Sequence, residues 1–177
     1  LSPYFVTDQS KGVAELDRVG ILVYNQTLNS AKSILSSMEY AANNNCALLI
    51  IANDVTSEAL QTLVLNRMKG VLRVCAIKAP EFGSARTVAL QDLAAVCGAE
   101  ILAVENTSTE QQDVSTILGF ADKVIVDKHG TVLIGTSSKR DNKKVEERIQ
   151  SAHAQINDPS STPSAIEVAK RRMRRLS

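Results

Sequence analysis

The chain has 177 residues, with 20 Lys and Arg against 19 Asp and Glu, and 44% of its residues are hydrophobic. These values are typical of one globular domain with an ordinary core, and no apolar run approaches the roughly 18 residues that a membrane-spanning helix needs. Aromatic residues make up only 3% and Trp is absent, which removes the stacking surfaces of a single-strand nucleic-acid binder.

Cysteine usage and the first residues indicate the context of the chain. Cys46, Cys75 and Cys97 are an odd number at wide spacings, which argues against a disulfide framework and a zinc site and favours a reducing compartment. The opening LSPYFVTDQSKG has no initiator Met and no signal-peptide pattern. We therefore expect a segment cut from a longer chain.

Short apolar runs rich in Val, Ile and Leu recur between helical patterns. They predict strands at 20–24, 47–52, 71–77, 100–104, 123–127 and 131–135. Several of these runs are apolar on both faces, as in strands that are covered by helices on both sides, and the spacing of the first four leaves room for crossover helices. The sequence therefore predicts an α/β architecture with central strands covered by helices.

Helical patterns lie between and after these strands. They predict helices at 29–43, 57–69, 84–97, 139–156 and 164–175. Asn29 or Ser30 can cap the first helix and Ser57 the second, whereas Gly70 and Gly98 can end the second and third helices in the left-handed conformation.

The helix at 57–69 has more apolar residues than one buried face can use. A core-facing stripe centred on Leu63 covers about 100°, and Leu60, Val64 and Leu65 fall outside it. This surplus needs an explanation other than the core.

Charge is unevenly distributed along the chain. Residues 139–177 contain ten basic and five acidic side chains, a net charge of +5, so the preceding residues carry −4. Such a tail can bind nucleic acid or an acidic membrane surface. Because its charges lie on helical patterns interleaved with Glu146, Glu147 and Glu167, we interpret it as a solvated helix face or an interdomain contact.

The motifs of catalysis and nucleotide binding are missing. No G-x-x-x-x-G-K-[ST] or G-x-G-x-x-G follows a predicted strand, and His129 and His153 have no nucleophile or carboxylate at motif spacing. Asp54, Asp92 and Asp122 could gather as a metal site, but we interpret each as a turn or cap residue. We predict no catalytic, cofactor or metal residues in this chain.

Five sequence blocks together resemble a known family. They are LSPYF at 1–5, LLIIANDV at 48–55, SEALQTLVLNRMKG at 57–70, KAPEFG at 78–83 and LQDLAAVCGAEI at 90–101. Their residues and their spacing closely resemble the apical domain of group I chaperonins, the GroEL type, across about the first hundred residues. The likeness thins after about residue 104.

The resemblance implies a specific fold and site. The family's apical domain is an α/β domain at the mouth of a ring-shaped, ATP-driven folding chamber, where two adjacent helices and a nearby extended segment form an exposed apolar groove. By resemblance, the exposed apolar positions are Tyr4, Phe5, Leu35, Met38, Leu60, Val64 and Leu65. Asn66 matches a position beside the groove.

The resemblance also implies partners and a domain assignment. Residues 1–177 would be the apical domain, with basic helices at 139–177 leading toward an intermediate domain outside the chain. Its partners would be unfolded polypeptides, the mobile loop of a co-chaperonin and other ring subunits, with no nucleic acid or membrane. ATP and Mg²⁺ would bind the parent chain elsewhere, and the segment alone would be a monomer without enzymatic activity. The compartment would be bacterial cytoplasm, mitochondrial matrix or plastid stroma.

One departure from the family concerns the loop KAPEFG. Glu81 stands where the family carries Gly, and a positive φ there would cost a Glu about 1 kcal/mol. This and other changes indicate a divergent member with altered contacts between subunits.

Two readings from other classes stay open at this point. One is a small-molecule-binding α/β enzyme domain that uses the carboxyl ends of its strands. The other is a nucleic-acid-binding module that works through the basic tail.

Overall fold

A six-stranded mixed sheet organises the computed structural model, which describes residues 3–102, 113–136 and 141–177. Its strands are β1 (Ala14–Leu28), β2 (Ala47–Val55), β3 (Val74–Lys78), β4 (Ile101–Leu102), β5 (Gly119–Val126) and β6 (Thr131–Ile134). They run in the order β3-β2-β1-β5-β6, and β4 pairs separately with β1. The pairs β1–β2, β2–β3 and β1–β4 are parallel, whereas β1–β5 and β5–β6 are antiparallel.

Strand β1 joins the parallel and antiparallel halves of the sheet. Its residues Val19–Leu28 pair with β2, whereas Ala14–Ile21 pair with β5. Arg18 has a φ of 54° and no partner in the β5 register. The β1–β5 register is the same on both sides of Arg18, so this residue interrupts the ladder without shifting it. The register of β1 against β2 does shift, between Tyr24 and Thr27.

Helices connect the strands and complete the chain. They are α1 (Leu35–Asn43), α2 (Ser57–Met68), α3 (Gly83–Cys97), α4 (Val114–Ile117), α5 (Asn142–Asn157) and α6 (Pro163–Leu176). A 3₁₀ turn at Ala31–Ile34 precedes α1, and the Ser30 side chain caps it. Asp141 and Thr162 cap α5 and α6 in the same way, and Gly98 ends α3 with a φ of 66°.

The main core lies on both faces of β1 and β2. Residues 47–52 of β2 are buried throughout, and the successive residues Ile21, Leu22 and Val23 of β1 have no exposed surface. Because successive strand side chains point to opposite faces, both faces of these strands are covered. This confirms the predicted α/β architecture.

Helices α5 and α6 pack on each other and on α3. In α3, Asp92 is fully buried and accepts hydrogen bonds from Arg148 of α5 and Arg172 of α6. Arg175 lies 3.5 Å from the same carboxylate. The prediction of a solvated helix face or an interdomain contact is therefore wrong for these three arginines, because they neutralise a charge inside the fold.

Each predicted strand and helix overlaps an observed one, and the differences have local causes. β1 and β5 begin earlier than predicted, because their ladder includes polar residues such as Glu15 and Asp17. Thr56 rather than Ser57 is the N-cap of α2, and its hydroxyl makes no capping hydrogen bond but donates to the carbonyl of Asn29 at 2.9 Å. The short α4 was not predicted. Parts of two predicted elements, 103–104 and 139–140, lie outside the described residues.

Candidate functional site

Helix α2 turns one face to the core and leaves part of its apolar surface in solvent. Leu63 is fully buried, whereas Leu65 is 55% exposed and Met68 is 78% exposed. Leu60 and Val64 are half-buried and pack against the edge of the main core. The surplus of apolar residues in the sequence therefore corresponds to an apolar surface that the core does not use.

An open groove of about 480 Å³ lies beside this helix. We call it the α2 groove; its described lining residues are Tyr4, Ser57, Leu60, Gln61, Val64 and Leu65. None of these side chains is charged. Such a surface can bury apolar ligand groups and offers few fixed hydrogen bonds that would demand one sequence.

The N-terminal segment forms one wall of the α2 groove. In the 3₁₀ turn Pro3–Phe5, Tyr4 is 66% exposed, whereas Phe5 is 1% exposed and belongs to the main core. Neighbouring side chains of a turn point in different directions, and here the fully apolar ring of Phe5 takes the inward position, whereas the ring that carries a hydroxyl stays outside. The prediction that Phe5 is exposed is wrong.

Arg67 ties this segment to α2. Its guanidinium donates hydrogen bonds to the backbone carbonyl oxygens of Tyr4 and Val6, the second at 2.8 Å. Arg67 is not predicted as a functional residue from the sequence, because a basic residue in the last turn of a helix is ordinarily explained by the helix dipole. The contact joins residues more than sixty positions apart, so no local sequence pattern predicts it.

The two predicted residues of α1 have different environments. Leu35 is 50% exposed, whereas Met38 is 7% exposed and packs in the main core. Ile34, Met38 and Ala41 recur at the spacing of one helical face, and all three are buried. The prediction that Met38 is exposed is wrong, and this spacing could have shown it.

Leu35 does not belong to the described lining of the α2 groove. It directly follows the 3₁₀ turn Ala31–Ile34, which contacts α2. The structure therefore brings Tyr4, Leu60, Val64 and Leu65 together. It places Leu35 at the start of α1, directly after the turn that contacts α2.

Asn66 has a structural role at the end of α2. Its side-chain amide donates to the backbone carbonyl of Thr62 at 2.9 Å, and its backbone carbonyl accepts from the N–H of Val71 at 3.1 Å. Asn66 is half-buried and is not among the described residues that line the α2 groove.

The described side chains offer little reactive chemistry. Desolvation raises the pKa of the buried Cys75 and Cys97 thiols to about 12, so both stay protonated at neutral pH. In the three described ranges, no group of three His, Cys, Asp or Glu side chains could hold a metal ion. None of the described helices is long and apolar enough to cross a membrane.

Two curated proteins match nearly the whole chain. The RuBisCO large subunit-binding protein subunit alpha, chloroplastic, of Chlamydomonas reinhardtii is 39% identical over 171 residues, which cover 97% of this chain and 29% of that protein. The RuBisCO large subunit-binding protein subunit alpha of Ricinus communis is 40% identical over 177 residues, which cover 97% of this chain and 34% of that protein. The chain thus spans about a third of the length of these relatives. No model of a known protein family matches it.

The fold has a counterpart among solved structures. A crystal structure of a chaperonin from bacteriophage EL matches 98% of this chain and 34% of that chain, with a TM-score of 0.70 and 18% sequence identity. At that identity the match demonstrates a shared fold, and it agrees with the sequence similarity to the RuBisCO large subunit-binding proteins. The chain belongs to the group I, GroEL-type chaperonin family.

Proposed function

We propose that this chain is the apical domain of a chaperonin and that its α2 groove binds apolar segments of non-native polypeptides. The observation that supports this function is an uncharged described lining with Tyr4 and Leu65 exposed beside half-buried Leu60 and Val64. An unfolded polypeptide offers apolar side chains in no fixed order, so its receptor should be apolar and adaptable.

The energetics are compatible with reversible capture. Each apolar side chain that leaves water contributes on the order of 1–2 kcal/mol. Several such contacts, after the cost of ordering an extended segment, correspond to affinities around micromolar. Binding of this strength holds a substrate and still permits its release.

The same groove would also receive the mobile loop of a co-chaperonin. One surface that serves both partners makes binding competitive, so arrival of the loop releases the polypeptide. Leu35, exposed at the start of α1 directly after the 3₁₀ turn that contacts α2, would extend this surface. In a ring, rigid-body rotation of the domain would move the groove from one partner to the other.

The remaining assignments concern the parent protein. It would form a ring of like subunits, bind ATP and Mg²⁺ outside this chain, and work in a bacterial or organellar compartment. The basic helices at 139–177 would lead toward its intermediate domain. The chain alone would be mostly monomeric, would hydrolyse no ATP, and would have neither nucleic acid nor membrane as a partner.

Two matched substitutions test the groove. Leu65→Ser and Val132→Ser each replace an apolar side chain that is slightly more than half exposed, one lining the α2 groove and one on β6. We expect Leu65→Ser to weaken capture of reduced, carboxymethylated α-lactalbumin by about five- to thirtyfold, which corresponds to loss of one buried Leu contact. Val132→Ser should leave capture unchanged.

Equal capture by both variants and the unmodified chain would show that the α2 groove does not bind the unfolded polypeptide. Fluorescence of a dye that binds apolar surface should likewise fall more for Leu65→Ser than for Val132→Ser. Retention on heparin at physiological salt would instead favour a nucleic-acid-binding module, and a saturable thermal shift with ATP would favour a nucleotide site in this chain.

A further inference from the structure

We propose that Arg67 is a positioning residue for the α2 groove, because it fixes the N-terminal segment that carries Tyr4. The inference rests on the proposed function of the groove, and it assigns the position of one groove wall to a single guanidinium. Arg67 itself does not line the groove among the described residues.

The hydrogen bonds of Arg67 define the contact. Nη1 donates to the carbonyl of Tyr4 and Nη2 donates to the carbonyl of Val6 at 2.8 Å. Between these two acceptors, Phe5 is 1% exposed and anchored in the core. The segment is therefore held by a buried ring in its middle and by Arg67 on both sides of that ring.

The position of Arg67 on α2 places it in line with the groove floor. Leu60, Val64 and Arg67 are spaced by four and three residues, which puts them on one face of the helix. The same face thus supplies the apolar floor and, near its C-terminal end, the donor that holds the wall.

The guanidinium of Arg67 has no competing carboxylate in the described part of the chain. None of the described ion pairs includes it. A planar guanidinium can serve two acceptors at once, whereas the point charge of a Lys cannot reproduce this geometry. The residue type at position 67 therefore matches a two-carbonyl clamp.

The clamp acts by lowering the entropic cost of binding. Tyr4 is 66% exposed, so burial of its ring alone does not fix it. With the carbonyls of Tyr4 and Val6 held, the wall is already in place before an apolar segment arrives, and less ordering is needed on binding. Without the clamp, Phe5 still anchors the segment while Tyr4 moves more freely.

The absence of Trp from this sequence gives a direct reporter. Tyr4→Trp introduces a single indole at the groove wall, and all variants are compared in this background. Arg67→Met removes the donors and keeps an unbranched apolar stem. Arg73→Met is the control, because Arg73 also donates to a backbone carbonyl, that of Asn45 at 3.0 Å, at a different site.

The first measurement needs no ligand. We expect Arg67→Met to increase acrylamide quenching of the indole about twofold and to lower its fluorescence anisotropy, because the wall is released. Arg73→Met should change neither signal. Arg67→Lys, which keeps the charge and the stem, should fall between the parent background and Arg67→Met.

The second measurement is binding of a blocked seven-residue peptide of alternating Ser and Leu, followed by the same fluorescence. Its dissociation constant should rise about three- to tenfold in Arg67→Met and stay unchanged in Arg73→Met. Equal quenching and anisotropy in all variants would overturn the clamp, even if the parent background binds the peptide. A clear change in quenching with no peptide binding by the parent background would leave the clamp standing and overturn the proposed function.

Discussion

Two regions of this molecule break the rule that apolar side chains lie inside and charges outside, and they do so in opposite directions. In the α2 groove, Tyr4 and Leu65 are more than half exposed. Against α3, Asp92 is fully buried and Arg172 is 7% exposed. One region leaves apolar surface in water, whereas the other takes charge out of it.

The charged region links three elements. We call it the arginine joint; its members are Glu81, Asp92, Arg148, Arg171, Arg172 and Arg175. Arg175 lies 3.3 Å from Glu81 and 3.5 Å from Asp92, so it bridges the loop before α3 to the middle of that helix. The joint thereby fastens α6 to α3 and to the loop that precedes it.

The two regions differ in how a substitution affects the stability of the fold. An exposed apolar side chain makes few internal contacts, so replacing it changes binding more than folding. A buried charge is tolerated only while it has partners, so removing one partner leaves the others uncompensated. Substitutions in the α2 groove should therefore change binding with little change in stability, whereas substitutions in the arginine joint should lower stability.

The largest effect is expected from Asp92→Ala. It leaves three arginines around an empty position and should lower the free energy of unfolding by about 3–5 kcal/mol. Asp54→Ala is the control, because Asp54 pairs with Lys78 at 2.9 Å where both side chains are exposed, and it should lower the free energy of unfolding much less. Urea unfolding measures both values. A similar small loss for both variants would mean that the arginine joint does not hold α6.

The next effect separates two leucines of one helix. Leu63→Ala should cost about 2–4 kcal/mol, because Leu63 has no exposed surface and its loss leaves a cavity. Leu65→Ala should cost about 0.5 kcal/mol or less, because Leu65 is 55% exposed. Thermal or urea unfolding should rank the pair in this order. The reverse ranking would show that the groove side of α2 is the one that packs.

The sequence predicts this contrast only in part. The runs at 20–24 of β1 and 47–52 of β2 contain no charged residue, so their burial on both faces follows from the sequence pattern. The surplus on α2 likewise predicts exposed apolar residues, since one face cannot bury them all. Local composition therefore gives the architecture and the helix of the groove.

The errors arise where distant contacts decide the orientation of a side chain. Tyr4 and Phe5 are adjacent and both aromatic, and only packing against the core selects Phe5 for burial. Asp92 and Asp122 are not the turn or cap residues that we predicted, because they lie inside α3 and β5. Arg67 and Arg172 find their partners sixty or more residues away, which no periodicity reveals.

A smaller effect is expected at Glu81, where the joint meets a strained loop. Glu81 has a φ of 66°. This is the positive φ that we considered for the position where the family carries Gly, and it strains the backbone of a Glu. Glu81→Gln removes the charge and keeps the strain, whereas Glu81→Gly removes both. We expect the Gly variant to be more stable than the Gln variant by about 1 kcal/mol in urea unfolding. Equal stabilities would show that the loop relaxes without cost.

The smallest effect is the pH dependence that Glu81 adds. The hydrogen bond from Arg171, together with the charges of Arg171 and Arg175, lowers the pKa of Glu81 below its usual value of 4.5. The unfolded state therefore binds the proton first as pH falls, so the stability contributed by Glu81 is complete above pH 4.5 and disappears as pH falls through the folded pKa.

Other carboxylates with lowered pKa values, such as Asp54 and Asp127, also make the chain less stable in acid, so the informative quantity is the difference between two proteins. We expect the gap in melting temperature between the unmodified chain and Glu81→Gln to be constant from pH 7 to pH 5 and to close below that. A gap that widened in acid would reverse the sign of the argument, and it would mean that Glu81 is held protonated in the folded joint. As a control, Lys78→Gln alters an exposed ion pair instead. Introduced into both proteins, it should leave the pH dependence of the gap between them unchanged.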